Sequence, residues 1–295
     1  MNKHFAHFLM LISAFIWGTT FVAQTTGMET IGPMTFTSIR YLIGTLTVLP
    51  FALFEMKKKN ISLFIIKNQK LSFMIIGLGI LMFGGISLQQ IALQNTKVAN
   101  AAFLTALYVP LVPVILWFLK NEKIKSNIWI AILFSIYGSW LLSGSSDYET
   151  KIADLLVIIG SFFWAGHIIL IGIVIRKFNA PFQYAMYQSL ICFLLSAIPM
   201  FIFENPKIIN LIPVLPELLY AGVFSVGIAY TLQIVAQVKA NTTVAAFILS
   251  LESVFAALSG WILIGQNLTF YSILGCSLIF LSVLIADIVR INFLK

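Results

Sequence analysis

Two residues carry full charge well inside long apolar stretches: Glu252 in the run LSLESVFAA and Arg40 in the run TSIRYLIG. An ionisable side chain at the centre of a bilayer costs roughly 2.5–3.5 kcal/mol even on the lenient insertion scale, so each calls for a partner or a role. A carboxyl such as Glu252, central in its run, suits contact with a substrate amine or exchange of a proton; it also suits a neutral acid bonded to a neighbouring helix. Arg40 is the eighth residue of its run, about 12 Å from the end at 1.5 Å per residue. Its guanidinium can snorkel outward and tie to Asp154 or Glu29, or clamp a carboxylate in a planar fork. His167 offers a proton-carrying ring, although a single buried histidine is often a satisfied core group. Gln90 and Gln233 offer amides that line a gate or bridge helices. Trp17, Tyr108 and Trp164 fall away from the interfacial belts where Trp and Tyr gather, and their polar atoms point to a shared cavity rather than lipid. The candidate substrate-binding set is therefore Trp17, Arg40, Gln90, Tyr108, Trp164, His167 and Glu252.

Catalysis finds little support. There is no HExxH zinc pattern, no GxSxG elbow and no phosphate-binding GxxxxGK[ST] loop. Ser161 and His167 are six apart on one predicted helix and face different directions. Cys192 and Cys276 lie in apolar runs without CxxC spacing or a histidine cluster, so neither a disulfide nor a metal site is expected. No cofactor is implied, and the chain is not expected to be an enzyme. An intramembrane enzyme and a membrane sensor or scaffold stand as alternatives.

The elements that must position these side chains are membrane spans. Of 295 residues, 60% are hydrophobic and only 9% charged, with mean hydropathy +1.00, against roughly 25% charged in soluble domains. About 20 apolar residues cross a ~30 Å hydrocarbon core, and ten runs qualify: 5–24, 33–54, 71–93, 98–119, 127–143, 153–175, 181–203, 213–237, 242–264 and 269–288. The first run is read as a retained helix, not a cleaved signal. The remaining loops leave no space for a soluble domain. Basic residues in short loops set orientation. Lys3, Lys57, Lys58, Lys59, Lys67, Lys70, Lys120, Lys123, Lys125, Arg176, Lys177, Lys239, Arg290 and Lys295 fall on one side; Lys97, Lys151 and Lys207 fall on the other. Both termini are thus expected in the cytoplasm, with the chain multi-pass in the inner (plasma) membrane. The net charge of +8 is read as topology signals and contacts to anionic lipid, not as a nucleic-acid surface.

The halves echo each other. Gly79-x4-Gly84, Gln90-Ile91 and Gln94 recur as Gly222-x4-Gly227, Gln233-Ile234 and Gln237; Phe15-x-Trp17 recurs as Phe162-x-Trp164; LPFALFE ending at Glu55 recurs as IPMFIFE ending at Glu204; and Pro33 recurs as Pro181. Glu252 pairs with Tyr108. A unit with an odd number of helices re-enters the membrane inverted, an arrangement that transporters use to place a site between halves near the midplane. The fold expected is all-α and polytopic, with ten transmembrane helices in two inverted five-helix repeats, 1–146 and 147–295. Paired glycines permit close helix approach at the third and eighth spans, and Pro110 and Pro113 are expected to interrupt the fourth.

Trp17-Gly18 in the first span, Pro33 to Arg40 opening the second, the proline-bearing fourth span ending in Asn121-Glu122, and Leu251-Glu252 with Gly260-Trp261 in the ninth resemble the EamA-type branch of the drug/metabolite transporter superfamily. The resemblance covers essentially the whole chain. It implies ten helices in two inverted repeats, cytoplasmic termini, and secondary transport, usually export, of amino acids or other small metabolites. The partners implied are a small-molecule substrate and the lipid bilayer; oligomeric state is left open. This sequence departs from the family pattern at Ser253, where proline commonly follows the ninth-span glutamate. It departs again at Asn121-Glu122 and Gly265-Gln266, where Gly-Glu pairs are common.

Overall fold

In the computed structural model, which describes residues 2–60, 69–120, 124–142, 148–267 and 269–288, the described chain is helical and contains no strand. Eight helical stretches are long and apolar enough to cross a membrane: Lys3–Thr26, Pro33–Lys59, Gln69–Ala92, Val98–Leu119, Lys151–Lys177, Pro181–Glu204, Leu215–Gln237 and Thr242–Ile264. The runs expected as fifth and tenth spans form helices whose apolar stretches, Ser126–Gly138 and Phe270–Ser282, are shorter. Several sequence features lie outside the described residues: Lys67, Lys123, Arg290, Lys295 and the Asn121-Glu122 pair.

The distribution of polarity is that of a membrane protein. Phe118, Phe203 and Ile208 are 75–81% exposed, while Arg40, Gln90, Gln188 and Gln233 are buried to 1% or less. Lipid accepts the exposed apolar side chains, and the polar ones must find partners inside the bundle.

Helix α1 (Lys3–Thr26) opens with Asn2, whose side chain accepts the Phe5 N–H at 2.8 Å. Helix α2 (Pro33–Lys59) starts with proline at its first position and ends with Lys57, Lys58 and Lys59 beside the partial negative charge of its C-terminus. Helices α3 (Gln69–Ala92), α6 (Ser126–Leu142) and α7 (Tyr148–Lys177) correspond to the runs expected as third, fifth and sixth spans. Helix α8 (Pro181–Pro199) continues into a π-turn, Met200–Glu204. After the short α9 (Ile208–Leu211), the eighth span is made of α10 (Leu215–Leu219), a ten-residue π-helix (Tyr220–Ala229) and α11 (Tyr230–Gln237). Helix α14 (Phe270–Ile288) ends the described chain and packs on α6.

Two spans are discontinuous. The expected fourth span, Val98–Leu119, divides into α4 (Val98–Thr105) and α5 (Tyr108–Lys120), and the expected ninth, Thr242–Ile264, into α12 (Thr242–Leu249) and α13 (Leu251–Ile264). The first break has a direct cause. Pro110 has no N–H for the Ala106 carbonyl four residues earlier, and that carbonyl is taken instead by Val109 N–H at 3.0 Å. The expected interruption at Pro110 and Pro113 is thus displaced one turn upstream, to Ala106-Leu107. The ninth span breaks without proline. Ser253 N–H and its hydroxyl both bond the Ser250 carbonyl, at 3.1 and 2.7 Å, and Ser250 Oγ bonds the Phe247 carbonyl at 2.7 Å, local competition that bends a helix.

Close packing fixes the neighbours. A Cβ on Gly18 would fall 2.4 Å from Phe255 Cβ and 2.6 Å from the Glu252 carbonyl, so α1 and α13 meet at backbone distance. The repeat-related glycines do not bring the third and eighth spans against each other. Gly79 faces Ile191 on α8 and Gly84 faces Phe163 on α7, while Gly222 meets Ile43 and Gly227 meets Thr47 on α2. Helices α2 and α8 pack together extensively, as do α3 and α7.

Candidate functional site

The two breaks, the π-helix and the middles of α1, α2 and α7 enclose a central cavity of about 40 Å³, room for only a few water molecules. Six of the seven candidate residues lie on its wall: Trp17, Arg40, Tyr108, Trp164, His167 and Glu252. Gln90 does not. It turns away, donating from its amide to the Gln24 carbonyl at 3.2 Å, and its neighbour Gln89 takes the place on the wall. Adjacent helical positions point about 100° apart, so a repeat argument that pairs Gln90 with Gln233 cannot say which glutamine faces inward.

Arg40 is 1% exposed, and its Nε and Nη2 have no hydrogen-bond partner. The expected tie to Asp154 or Glu29 does not form: Asp154 accepts Thr96 Oγ1 at 2.8 Å, and Glu29 is exposed. The guanidinium instead lies 5.3 Å from the Phe36 ring centre and 5.4 Å from that of Tyr41, within reach of cation–π attraction. Glu252, 6% exposed, occupies the first turn of α13 beside the Tyr108 hydroxyl. Backbone N–H groups at that helix start favour negative charge. Among the described residues neither Arg40 nor Glu252 has an oppositely charged side chain in ionic contact. The site thus presents one cation and one carboxyl, unpaired, around a common space.

Aromatic rings form the rest of the wall, with Tyr230 as their hub. Its ring centre lies 4.7 Å from Trp17 and 6.3 Å from Trp164, which is nearly parallel to it, and 6.1 Å from His167 in edge-on contact. Tyr41 Oη donates to Tyr230 Oη at 3.4 Å. His167 Nε2 pairs with Gln188 Oε1 at 3.0 Å, which orients the ring without removing it from the cavity. Trp17 Nε1 donates to the Ser225 carbonyl in the π-helix at 3.4 Å. A polar rung crosses the bundle where Gln89 Nε2 donates to Gln24 Oε1 at 3.2 Å and Thr105 Oγ1 donates to Gln89 Oε1 at 3.3 Å.

The sequence reading missed Tyr230, Tyr41, Gln89, Gln24 and Thr105. Tyr41 and Tyr230 carried a usable signal: one is next to Arg40 and the other lies one helical turn before Gln233.

Comparison with known proteins decides the family, since its model, described as the EamA-like transporter family, matches residues 4–144 and again 151–286. The chain belongs to the EamA-like transporter family. It is 31% identical to an uncharacterized transporter of Archaeoglobus fulgidus over 98% of this chain and 87% of the relative. The uncharacterized transporter YwfM of Bacillus subtilis is 26% identical over 97% of this chain and 94% of its own length. YoaV of the same organism is 23% identical over 90% of each. A solved crystal structure shares the fold at a TM-score of 0.76, covering 100% of both chains at 16% identity. In this EamA-like protein the cavity lies among membrane-crossing helices, as a multi-pass membrane transporter requires.

Proposed function

We propose that this protein is a secondary transporter that exports a small metabolite, an amino acid foremost, by alternating access through the central cavity. The observation that carries the reading is the pair Arg40 and Glu252, both unpaired on the wall of one cavity. A zwitterion brings a carboxylate for the guanidinium and an ammonium for the carboxyl, and the rings of Trp17, Trp164 and Tyr230 suit an ammonium or an apolar side chain. Unpaired buried charge destabilises a protein that has no ligand to receive. At about 40 Å³ the cavity is a closed form that widens to take substrate.

The chain is read as ten spans in two inverted repeats, 1–146 and 147–295, with both termini in the cytoplasm and the chain in the plasma membrane. Three features support this. The family model matches twice. The two broken spans place Tyr108 and Glu252, paired in the repeat, just after their breaks, and discontinuous spans in matching positions are a common way to build a transporter site. The excess of Lys and Arg on one side sets the orientation. The proposed substrate contacts are Trp17, Arg40, Tyr108, Trp164, His167 and Glu252, with Gln90 bracing the wall behind them. Counterflow in proteoliposomes with a panel of labelled amino acids tests the reading. Uptake of at least one, competed by its unlabelled form, is expected; no counterflow of any zwitterion would reject it.

A further inference from the structure

The echo between LPFALFE and IPMFIFE has a structural meaning at both ends of the α2–α8 pair. Glu55, near the end of α2, accepts the N–H groups of Phe182 at 3.0 Å and Gln183 at 3.1 Å, where α8 begins. Glu204, at the end of the eighth helix's π-turn, accepts the N–H groups of Met34 at 2.8 Å and Thr35 at 2.6 Å and the Thr35 hydroxyl at 2.7 Å, where α2 begins. Each helix therefore carries, at its C-terminal end, the carboxylate that satisfies the otherwise unpaired N–H groups of the other.

The two ties are not equal. Glu55 is 7% exposed, bridged to Lys59 at 2.8 Å, and Lys59 also donates to the Asn179 carbonyl just before α8. Glu204 is half-buried, has no cation in ionic contact among the described residues, and borders a second, polar pocket of about 200 Å³ that also touches Met28, Thr35, Lys207 and Asn210. Glu204 is thus the more open of the two to water.

The second pocket and the central cavity both border the first turns of α2, at Thr35 and at Arg40. The central cavity reaches Gln24 along α1, and the second pocket begins at Met28, one helical turn further on. Phe36, fully buried in a cluster with Val214 and Leu218, stands beside this stretch of chain. It packs against Met28 and stands so close to Gly27 that a Cβ there would fall 2.1 Å from the ring. It follows Thr35 directly, and the next turn of α2 brings Arg40 over its ring.

We propose that the Glu204 tie to Met34 and Thr35 is the latch of a gate whose plug is Phe36, and that the braced Glu55 tie is its fixed end. Releasing Glu204 lets the first turn of α2 swing from α8, withdraws Phe36 from Gly27 and joins the central cavity to the second pocket. Glu204 and Thr35 act as positioning residues through Phe36; neither touches the central cavity. The inference rests on the reading of the central cavity as the transport site, but its test needs no substrate.

The test uses full-length protein in lipid nanodiscs with Cys192→Ser and Cys276→Ser, and Thr20→Cys as a reporter on the cavity wall. Modification by methanethiosulfonate ethyltrimethylammonium reads how often the cavity opens. Glu204→Gln is expected to speed labelling about tenfold and Thr35→Val about twofold to fivefold, with Glu55→Gln leaving the rate unchanged. Thr35→Val keeps every backbone contact, so it decides the matter if Glu204→Gln fails to fold. Unchanged labelling in both variants, or equal acceleration by Glu55→Gln, would overturn the proposal.

Discussion

Replacing Arg40 by methionine separates stability from function. The side chain keeps an unbranched apolar stem but loses the guanidinium and its charge. In this structure the guanidinium has two stranded donors, Nε and Nη2, and no acidic partner among the described residues. Each stranded buried donor costs about 1–3 kcal/mol. Contacts with the Phe36 and Tyr41 rings at 5.3 and 5.4 Å return about 0.5–2 kcal/mol each. At the midpoints, about 4 kcal/mol against about 2.5 kcal/mol, the balance favours methionine, so Arg40→Met should unfold at a higher temperature than the parent when no substrate is present. Adding a transported amino acid reverses the order. A ligand at one hundred times its Kd stabilises the parent by about 2.7 kcal/mol, whereas the variant has no cation to receive the carboxylate. Thermal unfolding of the purified protein in detergent, followed by intrinsic tryptophan fluorescence with and without the amino acid found by counterflow, measures both halves of the prediction. A variant less stable than the parent without substrate would refute the reasoning, because it would mean that the guanidinium is already compensated. A variant stabilised by substrate as much as the parent would refute the assignment of the carboxylate to Arg40.

Two further outcomes are expected. Glu252→Gln keeps the size and hydrogen-bonding capacity of the carboxyl and fixes its charge at zero; if Glu252 carries an exchanged proton, the change should abolish pH-driven accumulation and spare substrate exchange, whereas loss of both in one reconstituted preparation would make Glu252 a direct partner of the substrate amine. For topology, Lys97→Cys and Lys151→Cys should react with an impermeant maleimide in intact cells, and Lys58→Cys only after permeabilisation; labelling of Lys58→Cys in intact cells would invert the orientation.

Much of the bundle was legible because lipid imposes one rule on every span. Long apolar runs, charges confined to their ends and polar residues out of place in their middles are properties of residue type, and they marked Arg40, Glu252, Trp17, Trp164 and Tyr108, which the structure gathers at one cavity. The break in the fourth span was legible from Pro110, because a missing N–H is also a property of residue type. The break in the ninth span was not. It depends on two serine hydroxyls choosing carbonyls within their own turn, and the same residues elsewhere in this bundle, such as Ser13 and Ser259, make similar bonds inside unbroken helices. The π-helix at Tyr220–Ala229 left no mark either. Its carbonyls are received by side chains of α1, including Ser13 and Trp17 for the Ala229 and Ser225 carbonyls, and that docking is a fact of packing.

The glutamate echo shows where residue type stops being enough. Glu55 and Glu204 were visible as matching ends of matching segments, but the groups they bind are backbone N–H groups of Met34, Thr35, Phe182 and Gln183, which every residue but proline possesses. What makes those four special is Pro33 and Pro181, each starting a helix so that the N–H groups just after it have no carbonyl to reach. Proline at the start of one helix and glutamate at the end of its antiparallel neighbour therefore form a single device split across the chain. The surroundings of the two ties differ: Lys59 and burial brace one, while the second pocket lies beside the other. Under the gate proposed above, that difference in setting gives the two ends of one helix pair different freedom to move.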